Sequence, residues 1–149
     1  MVTGVQTCAL PIYDLRIKPF NYDLVILALG TNDANMQFGL SAGRYAHNLQ
    51  VLVDLIGVDK TILMGPSYTN WKIAKDQAWP KTLQFELVAE QCHIENNIPF
   101  LNFAKVMRET GHPNGLLQKD GIHLNQEGNK LLIEKLAKLV KEKEPAAIS

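Results

Sequence analysis

The sequence predicts an α/β protein in which helices cover a parallel sheet. The first observation is an unbroken run of six apolar residues, Leu24–Leu29, which is typical of a strand buried on both faces. The second is the alternation of such runs with helical patterns, which favours βαβ crossovers. The third is Gly30, which ends the first run and is followed by polar residues. Open α/β sheets bind ligands at this end of their strands.

The composition is that of one globular domain. The chain has 149 residues, of which 46% are apolar and 20% charged, and its 15 basic and 15 acidic residues cancel. This balance leaves no electrostatic footprint for nucleic acid or an anionic membrane. No apolar run approaches the roughly 18 residues that span a bilayer. Cys8 and Cys92 form neither a disulfide framework nor a metal-ligand spacing. The sequence therefore predicts a soluble protein.

The N-terminal residues differ from the rest of the chain. Residues 2–12 resemble the translation of a common sequencing adapter, and they lack the basic start and long apolar stretch of a signal peptide. We therefore expect residues 1–13 to be a non-native leader, with the native N-terminus missing. Because any signal peptide would lie in that missing part, the sequence does not indicate a cellular compartment. The alternative is an ordinary, poorly structured N-terminus. The domain is expected to span residues 14–144, followed by a frayed tail at residues 145–149.

The first helix and the second strand follow the run at Leu24–Leu29. A helix is predicted from Ser41, which caps it, to Gly57, which ends it near the C′ position. One apolar face of that helix consists of Tyr45, Leu49, Leu52, Val53 and Ile56. Thr61–Met64 is a short buried strand that Gly65 ends.

A second helix and a third strand complete the βαβ pattern. Residues 67–80 form a loop with three aromatic residues, Tyr68, Trp71 and Trp79. The next helix runs to about Glu95, and its apolar face begins with Leu83, Leu87 and Val88. Ile98–Phe103 is the third strand, with Pro99 near its start, where a missing N–H is tolerated.

The last helix follows a loop at residues 112–115. Asn125 is its predicted N-cap. Its buried stripe consists of Leu132, Leu136, Leu139 and Val140. Its solvated face carries Lys130, Glu134, Lys138 and Glu142.

Asp120 and His123 stand immediately before this helix, three residues apart with Gly121 between them. On one turn, the carboxylate accepts a hydrogen bond from the imidazole Nδ1–H and leaves Nε2 as a general base. Such a short pattern is frequent by chance, so it carries little weight alone.

Two blocks together resemble a known family. Gly30-Thr31-Asn32-Asp33 closes the first strand, and Asp120-Gly121-Ile122-His123 opens the last helix. In sequence, order and placement they are similar to the third and fifth blocks of the SGNH (GDSL-type) hydrolases. The resemblance covers Asp14–Lys143. It implies a three-layer α/β/α, flavodoxin-like fold whose first strands are missing here.

The resemblance also assigns roles. It implies hydrolysis of small-molecule carboxylic esters, esterase or lipase-like, with no cofactor and no metal. Asp120 and His123 match the family's catalytic pair, and Asn32 matches its oxyanion-hole asparagine. A turn residue with an Asx hydrogen bond is the alternative for Asn32. The rest of the block supports the motif: Gly30, Thr31 and Asp33.

The family's nucleophile is absent. It is the serine of a Gly-Asp-Ser motif, and the serines of this chain, Ser41, Ser67 and Ser149, lie in no such motif. Ser67 follows Pro66 in a loop without a strand-to-helix elbow, which disfavours it as a substitute. Without the serine-bearing strand, Leu24–Leu29 would have an open edge that invites self-association.

Two alternatives remain open. A metal site could use His112, Asp120 and His123, although no fourth ligand stands at a natural spacing. The chain could also be a non-catalytic protein of the same fold that binds an acyl or carbohydrate ligand or a partner chain.

Overall fold

A four-stranded parallel sheet forms the centre of the protein. A computed structural model describes the backbone of residues 2–5 and 22–148 and the side chains of residues 22–143. The strands β1 (Val2–Val5), β2 (Leu24–Ala28), β3 (Thr61–Met64) and β4 (Phe100–Leu101) lie side by side in chain order. All pairs are parallel, which confirms the predicted parallel sheet.

Strand β1 occupies the edge that the sequence predicts to be open. Val2 pairs with Leu24 and Val5 with Leu27, so the expectation of a missing neighbour for β2 is wrong. The physical reason is that β-branched residues favour strands, and an apolar strand with unpaired backbone groups accepts such a segment. The non-native origin of residues 1–13 stays a prediction. Residues 6–21 lie outside the described residues, including most of that leader and the expected start of the domain.

Helix α1 (Ala42–Ile56) has the predicted ends. The Ser41 hydroxyl accepts a hydrogen bond from the Arg44 N–H at 3.1 Å. Gly57 ends the helix with a φ of +99°, which glycine adopts without strain. A 3₁₀ turn, Val58–Lys60, then leads into β3.

Helix α2 (Trp79–Asn96) buries only part of the predicted apolar face, since Val88 is partly buried against the core. Leu83 and Leu87 are 40% and 58% exposed. The Phe85 ring stacks on the Tyr45 ring of α1 with centroids 4.4 Å apart, and this contact sets the rotation of the helix. The buried residues of α2 are Thr82, Phe85, Glu86, Ala89 and Cys92.

The third predicted strand is shorter than expected. β4 ends at Leu101 because the Asn102 side chain caps helix α3 (Phe103–Glu109), accepting from the Lys105 N–H at 3.1 Å. A 3₁₀ turn, Pro113–Leu116, follows.

Helix α4 (Gln126–Ile148) begins after Asn125, the predicted N-cap, which accepts from the Gly128 N–H at 3.0 Å. The helix continues past Pro145, where the sequence predicts a frayed tail. Strong helix formers flank this proline, and it removes only one backbone hydrogen bond. The predicted solvated face is exposed, as expected: Lys130, Glu134, Lys138 and Glu142.

Helices cover both faces of the sheet, which confirms the three-layer fold. On one face, Leu27 and Leu63 pack with α1 and α2. On the other face, Met64 packs with residues of α3 and the partly buried stripe of α4. Neighbouring strand residues thus point to opposite layers, as the pleat requires. No helix in the described part of the chain is both long enough and apolar enough to cross a membrane.

Candidate active site

The turn after β2 depends on glycine at its first position. Gly30 has a φ of +127°, and a Cβ there would lie 2.7 Å from Tyr45 Oη and 3.2 Å from Pro66 Cβ. Tyr45 is itself fixed, since its hydroxyl donates a buried hydrogen bond of 2.8 Å to Leu29 O. The strand end and helix α1 therefore approach each other only because residue 30 has no side chain.

Asn32 and Asp33 face opposite directions within this turn. The Ala34 N–H donates to Gly30 O at 2.8 Å and closes the turn. Asp33 is 3% exposed, and its carboxylate is the second cause, after burial, that raises the pKa of Tyr45. The Asn32 side chain is exposed, and no residue in the described ranges hydrogen bonds to it. Its amide is therefore available to a ligand, whereas Asp33 belongs to the interior.

Asp120 and His123 form the hydrogen-bonded pair that the sequence predicts. Asp120 Oδ2 bonds to His123 Nδ1. Asp120 Oδ1 accepts the backbone N–H groups of Ile122 at 2.9 Å and His123 at 3.0 Å. These hydrogen bonds lower the pKa of Asp120 to about 2. The largest contribution comes from the Ile122 N–H, the next from the His123 ring and the third from the His123 N–H. The His123 side chain is 72% exposed, so its Nε2 edge is accessible to a ligand.

A small antiparallel bridge holds the loop that carries this pair. Leu117 pairs with Leu124, and the Gln118 N–H donates to His123 O at 2.8 Å. Gly121 has a φ of +74°, and a Cβ there would lie 3.1 Å from Asn70 O. Glycine is therefore required both for the turn and for the approach of a second loop.

That second loop, residues 67–78, joins the two halves of the site. Its Asn70 N–H donates to Gly121 O at 2.8 Å, and its Asp76 O accepts from the Met36 N–H at 2.8 Å. At its start, the Ser67 N–H donates to Thr31 Oγ1 at 3.3 Å. The turn that carries Asn32 and the loop that carries His123 are therefore both bonded to loop 67–78, which follows the carboxyl end of β3.

No serine of the described residues is hydrogen-bonded to His123. Ser41 caps α1, and Ser67 uses its N–H on Thr31. Nor does any group of three His, Cys, Asp or Glu side chains gather there in a way that could hold a metal ion. The alternative metal site with His112 is thus not assembled in the described part of the chain.

The predicted aromatic loop lines a cavity beside the site. Tyr68, Trp71 and Trp79 border a cavity of about 360 Å³, which neither Asn32 nor His123 lines. The cavity also contains an ion pair, Glu86 with Arg108, that sequence reasoning missed. No sequence signal indicated it, because the two residues lie on different helices.

The protein has a parallel sheet between helices, an Asp–His pair and an exposed asparagine in the turn after β2. These features are typical of α/β proteins whose site lies outside the carboxyl ends of the strands. The sequence model of the GDSL-like Lipase/Acylhydrolase family matches residues 2–131, and the chain belongs to that family. This family is one of hydrolases, as the sequence predicts. No curated protein matches the chain.

Solved structures share the fold at low sequence identity. A lipase/acylhydrolase from Enterococcus faecalis is 22% identical with a TM-score of 0.85, over 93% of this chain and 72% of that one. A catalytic serine-to-alanine mutant of the acetylxylan esterase Axe2 from Geobacillus stearothermophilus is 20% identical with a TM-score of 0.69, over 90% and 68%. A histidine-to-alanine mutant of that esterase, also described as catalytic, is 19% identical with a TM-score of 0.70, over the same shares.

Proposed function

We propose that this chain carries the general base and part of the oxyanion hole of a serine-type carboxylic ester hydrolase. The observation that carries the proposal is the hydrogen bond of His123 Nδ1 to Asp120, together with the exposed amide of Asn32 in the turn after β2. Membership of the GDSL-like Lipase/Acylhydrolase family supports it. So do the catalytic serine and histidine mutants of the structurally similar esterase.

In the proposed reaction, His123 Nε2 takes the proton of a serine hydroxyl as that oxygen attacks the ester carbonyl. Asp120 holds the Nδ1–H tautomer and stabilises the imidazolium. The Asn32 amide donates to the oxyanion of the tetrahedral intermediate. Collapse expels the alcohol, which receives the proton from His123. Water then attacks the acyl-serine by the same route, which releases the acid and restores the serine.

Residues 22–143 contain two serines, Ser41 and Ser67, and neither is hydrogen-bonded to His123. β1 lies beside β2, where the family resemblance assigns the serine-bearing strand. The three residues after β1 are Gln6, Thr7 and Cys8 rather than Gly-Asp-Ser. We therefore infer that the chain as given does not turn over esters, because it lacks the nucleophile's segment.

The test supplies that segment at the end of β1. The triple-substituted chain carries Gln6→Gly, Thr7→Asp and Cys8→Ser, and its matched control carries Cys8→Ala in place of Cys8→Ser. We expect hydrolysis of p-nitrophenyl acetate by the triple-substituted chain, none by the control, and none by the original chain. Adding His123→Ala should abolish the turnover.

Two results would count against the proposal. One is a folded triple-substituted chain, verified by circular dichroism, that shows no turnover above the control. The other is turnover by the original chain that Ser67→Ala removes. The first would favour the non-catalytic, ligand-binding alternative.

A further inference from the structure

The cavity beside the candidate site has a polar wall and an aromatic wall. It lies between loop 67–78, the first turns of α2, and α3. Its volume is about 360 Å³, within the range of small-molecule sites. The residues that shape it here are Tyr68, Trp71, Trp79, Leu83, Glu86 and Arg108.

The polar wall is an ion pair without net charge. Arg108 Nη2 donates to Glu86 Oε1 at 2.7 Å, and Nη1 donates to Oε2 at 3.1 Å. The Glu86 side chain is 4% exposed and that of Arg108 is 41% exposed. Each carboxylate oxygen has a further lone pair, and the guanidinium has further N–H groups. The pair can therefore both accept hydrogen bonds from a ligand and donate to it.

The aromatic wall is partly open to water. Trp71 is 45% exposed and Trp79 is 56% exposed. The Tyr68 hydroxyl donates to Asn114 Oδ1 at 2.9 Å, which fixes that ring. Such a wall suits a ligand that has one apolar face to stack and a polar rim that stays wet.

These two walls select among ligand chemistries. An alkyl chain would desolvate the Glu86–Arg108 pair without offering it a hydrogen bond, which is unfavourable. An anion would gain little, because the carboxylate already neutralises Arg108. A ring with hydroxyl groups and a C–H face satisfies both walls. We propose that this cavity binds a neutral sugar ring, which stacks on the tryptophans and hydrogen bonds to Glu86 and Arg108.

The cavity is held in shape before a ligand arrives. The buried Thr69 hydroxyl donates to Gln77 O at 2.9 Å, and the Asn70 N–H donates to Gly121 O at 2.8 Å. The aromatic wall is therefore fixed to the loop that carries His123. The sugar site needs no ester hydrolysis and goes beyond the proposed function.

The two tryptophans of the chain give a direct readout, since both line this cavity. Titration of the 149-residue chain with xylobiose or cellobiose should change the tryptophan fluorescence saturably. Isothermal titration calorimetry should show that Trp71→Ala or Trp79→Ala weakens binding roughly tenfold. The matched control is Phe38→Ala, which removes an aromatic ring that is 82% exposed and does not line the cavity. It should bind as the original chain does.

A second variant tests the polar wall. Arg108→Lys keeps the positive charge beside Glu86 but loses the planar fork, so the sugar should bind more weakly while the thermal unfolding midpoint shows that the fold is retained. Three results would overturn the proposal. They are no saturable response to either disaccharide, tighter binding of octanoate or glucuronate, and an effect of Phe38→Ala equal to that of the tryptophan variants.

Discussion

Asp120 binds His123 twice, once at the ring Nδ1 through Oδ2 and once at the backbone N–H through Oδ1. The carboxylate therefore fixes both the ring and the main chain that carries it. This double contact separates two effects of Asp120, because an asparagine can keep its Oδ1 on the backbone N–H while its NH2 group cannot accept from the ring Nδ1–H.

The first prediction uses that separation. In the triple-substituted chain, Asp120→Asn should lower kcat by about 10⁴, since the amide no longer stabilises the Nδ1–H tautomer. KM for p-nitrophenyl acetate should change little. Asp59→Asn, at an exposed position of the 3₁₀ turn before β3, is the control and should leave kcat unchanged. Equal rates for the two variants would exclude Asp120 from the proposed reaction.

The second prediction concerns Asn32. Asn32→Ala in the triple-substituted chain should lower kcat by about 10²–10³, the usual loss for one oxyanion donor. Its urea unfolding midpoint should not move, because the side chain is exposed. Asn35→Ala is the contrasting variant, since Asn35 Oδ1 accepts from the N–H groups of Gln37 and Phe38 in the turn. It should lower the midpoint, and a rate loss at Asn35 alone would contradict the assignment.

The third prediction concerns acid pH. The pKa of Asp120 falls from 3.8 to about 2 in the folded chain because its carboxylate accepts the Ile122 N–H and bonds to His123. A lowered folded-state pKa means that the ionised carboxylate stabilises the fold above about pH 4 and that this contribution disappears as the pH falls towards 2. Urea midpoints of the original chain and Asp120→Asn should therefore converge over that window. A constant difference across it would show that the carboxylate does not have this role.

The fourth prediction concerns the glycine of the turn. Gly30→Ala should reduce the free energy of unfolding by at least about 1–3 kcal/mol. The φ of residue 30 is +127°, and the added Cβ would lie 2.7 Å from Tyr45 Oη. Gly43→Ala is the matched control in α1, where nothing lies within 4 Å of the added Cβ. It should stabilise the helix by about 0.5–1 kcal/mol. Chemical denaturation of the two variants distinguishes the opposite signs.

The fifth prediction concerns the sheet edge. Deletion of residues 1–13 removes β1 and leaves the apolar strand β2 unpaired along one side. Such an edge favours pairing with another chain, so sedimentation velocity should show more self-association for the shortened chain than for the original. Deletion of residues 144–149 serves as the control at the other terminus. Identical sedimentation of both shortened chains would mean that β1 does not protect β2.

Local patterns predicted most of the layout. The apolar run at Leu24–Leu29, the cap at Ser41 and the pair Asp120 and His123 each depend on a few neighbouring residues, and each is found as predicted. The interactions that form them act within one turn or one strand, so a short stretch of sequence is enough to predict them.

Tertiary contacts decided the rest. Leu83 and Leu87 are four residues apart, as are Phe85 and Ala89, so spacing alone does not say which pair is buried. The stacking of Phe85 on Tyr45 selects the second pair. Likewise, the Glu86–Arg108 ion pair forms only when α2 and α3 pack together, so no short sequence pattern predicts it.

Loop 67–78 is attached at two points, and the exposed residues between those points can vary without moving Asn32 or His123. Asn70 is tied to the loop of His123, and Asp76 is tied to the turn that follows Asn32. Between these anchors, Trp71, Lys72, Ile73 and Lys75 are exposed. Descendant sequences can exchange these four side chains and so present a different surface to an incoming molecule. The spacing of His123 and Asn32 would stay as it is throughout such diversification.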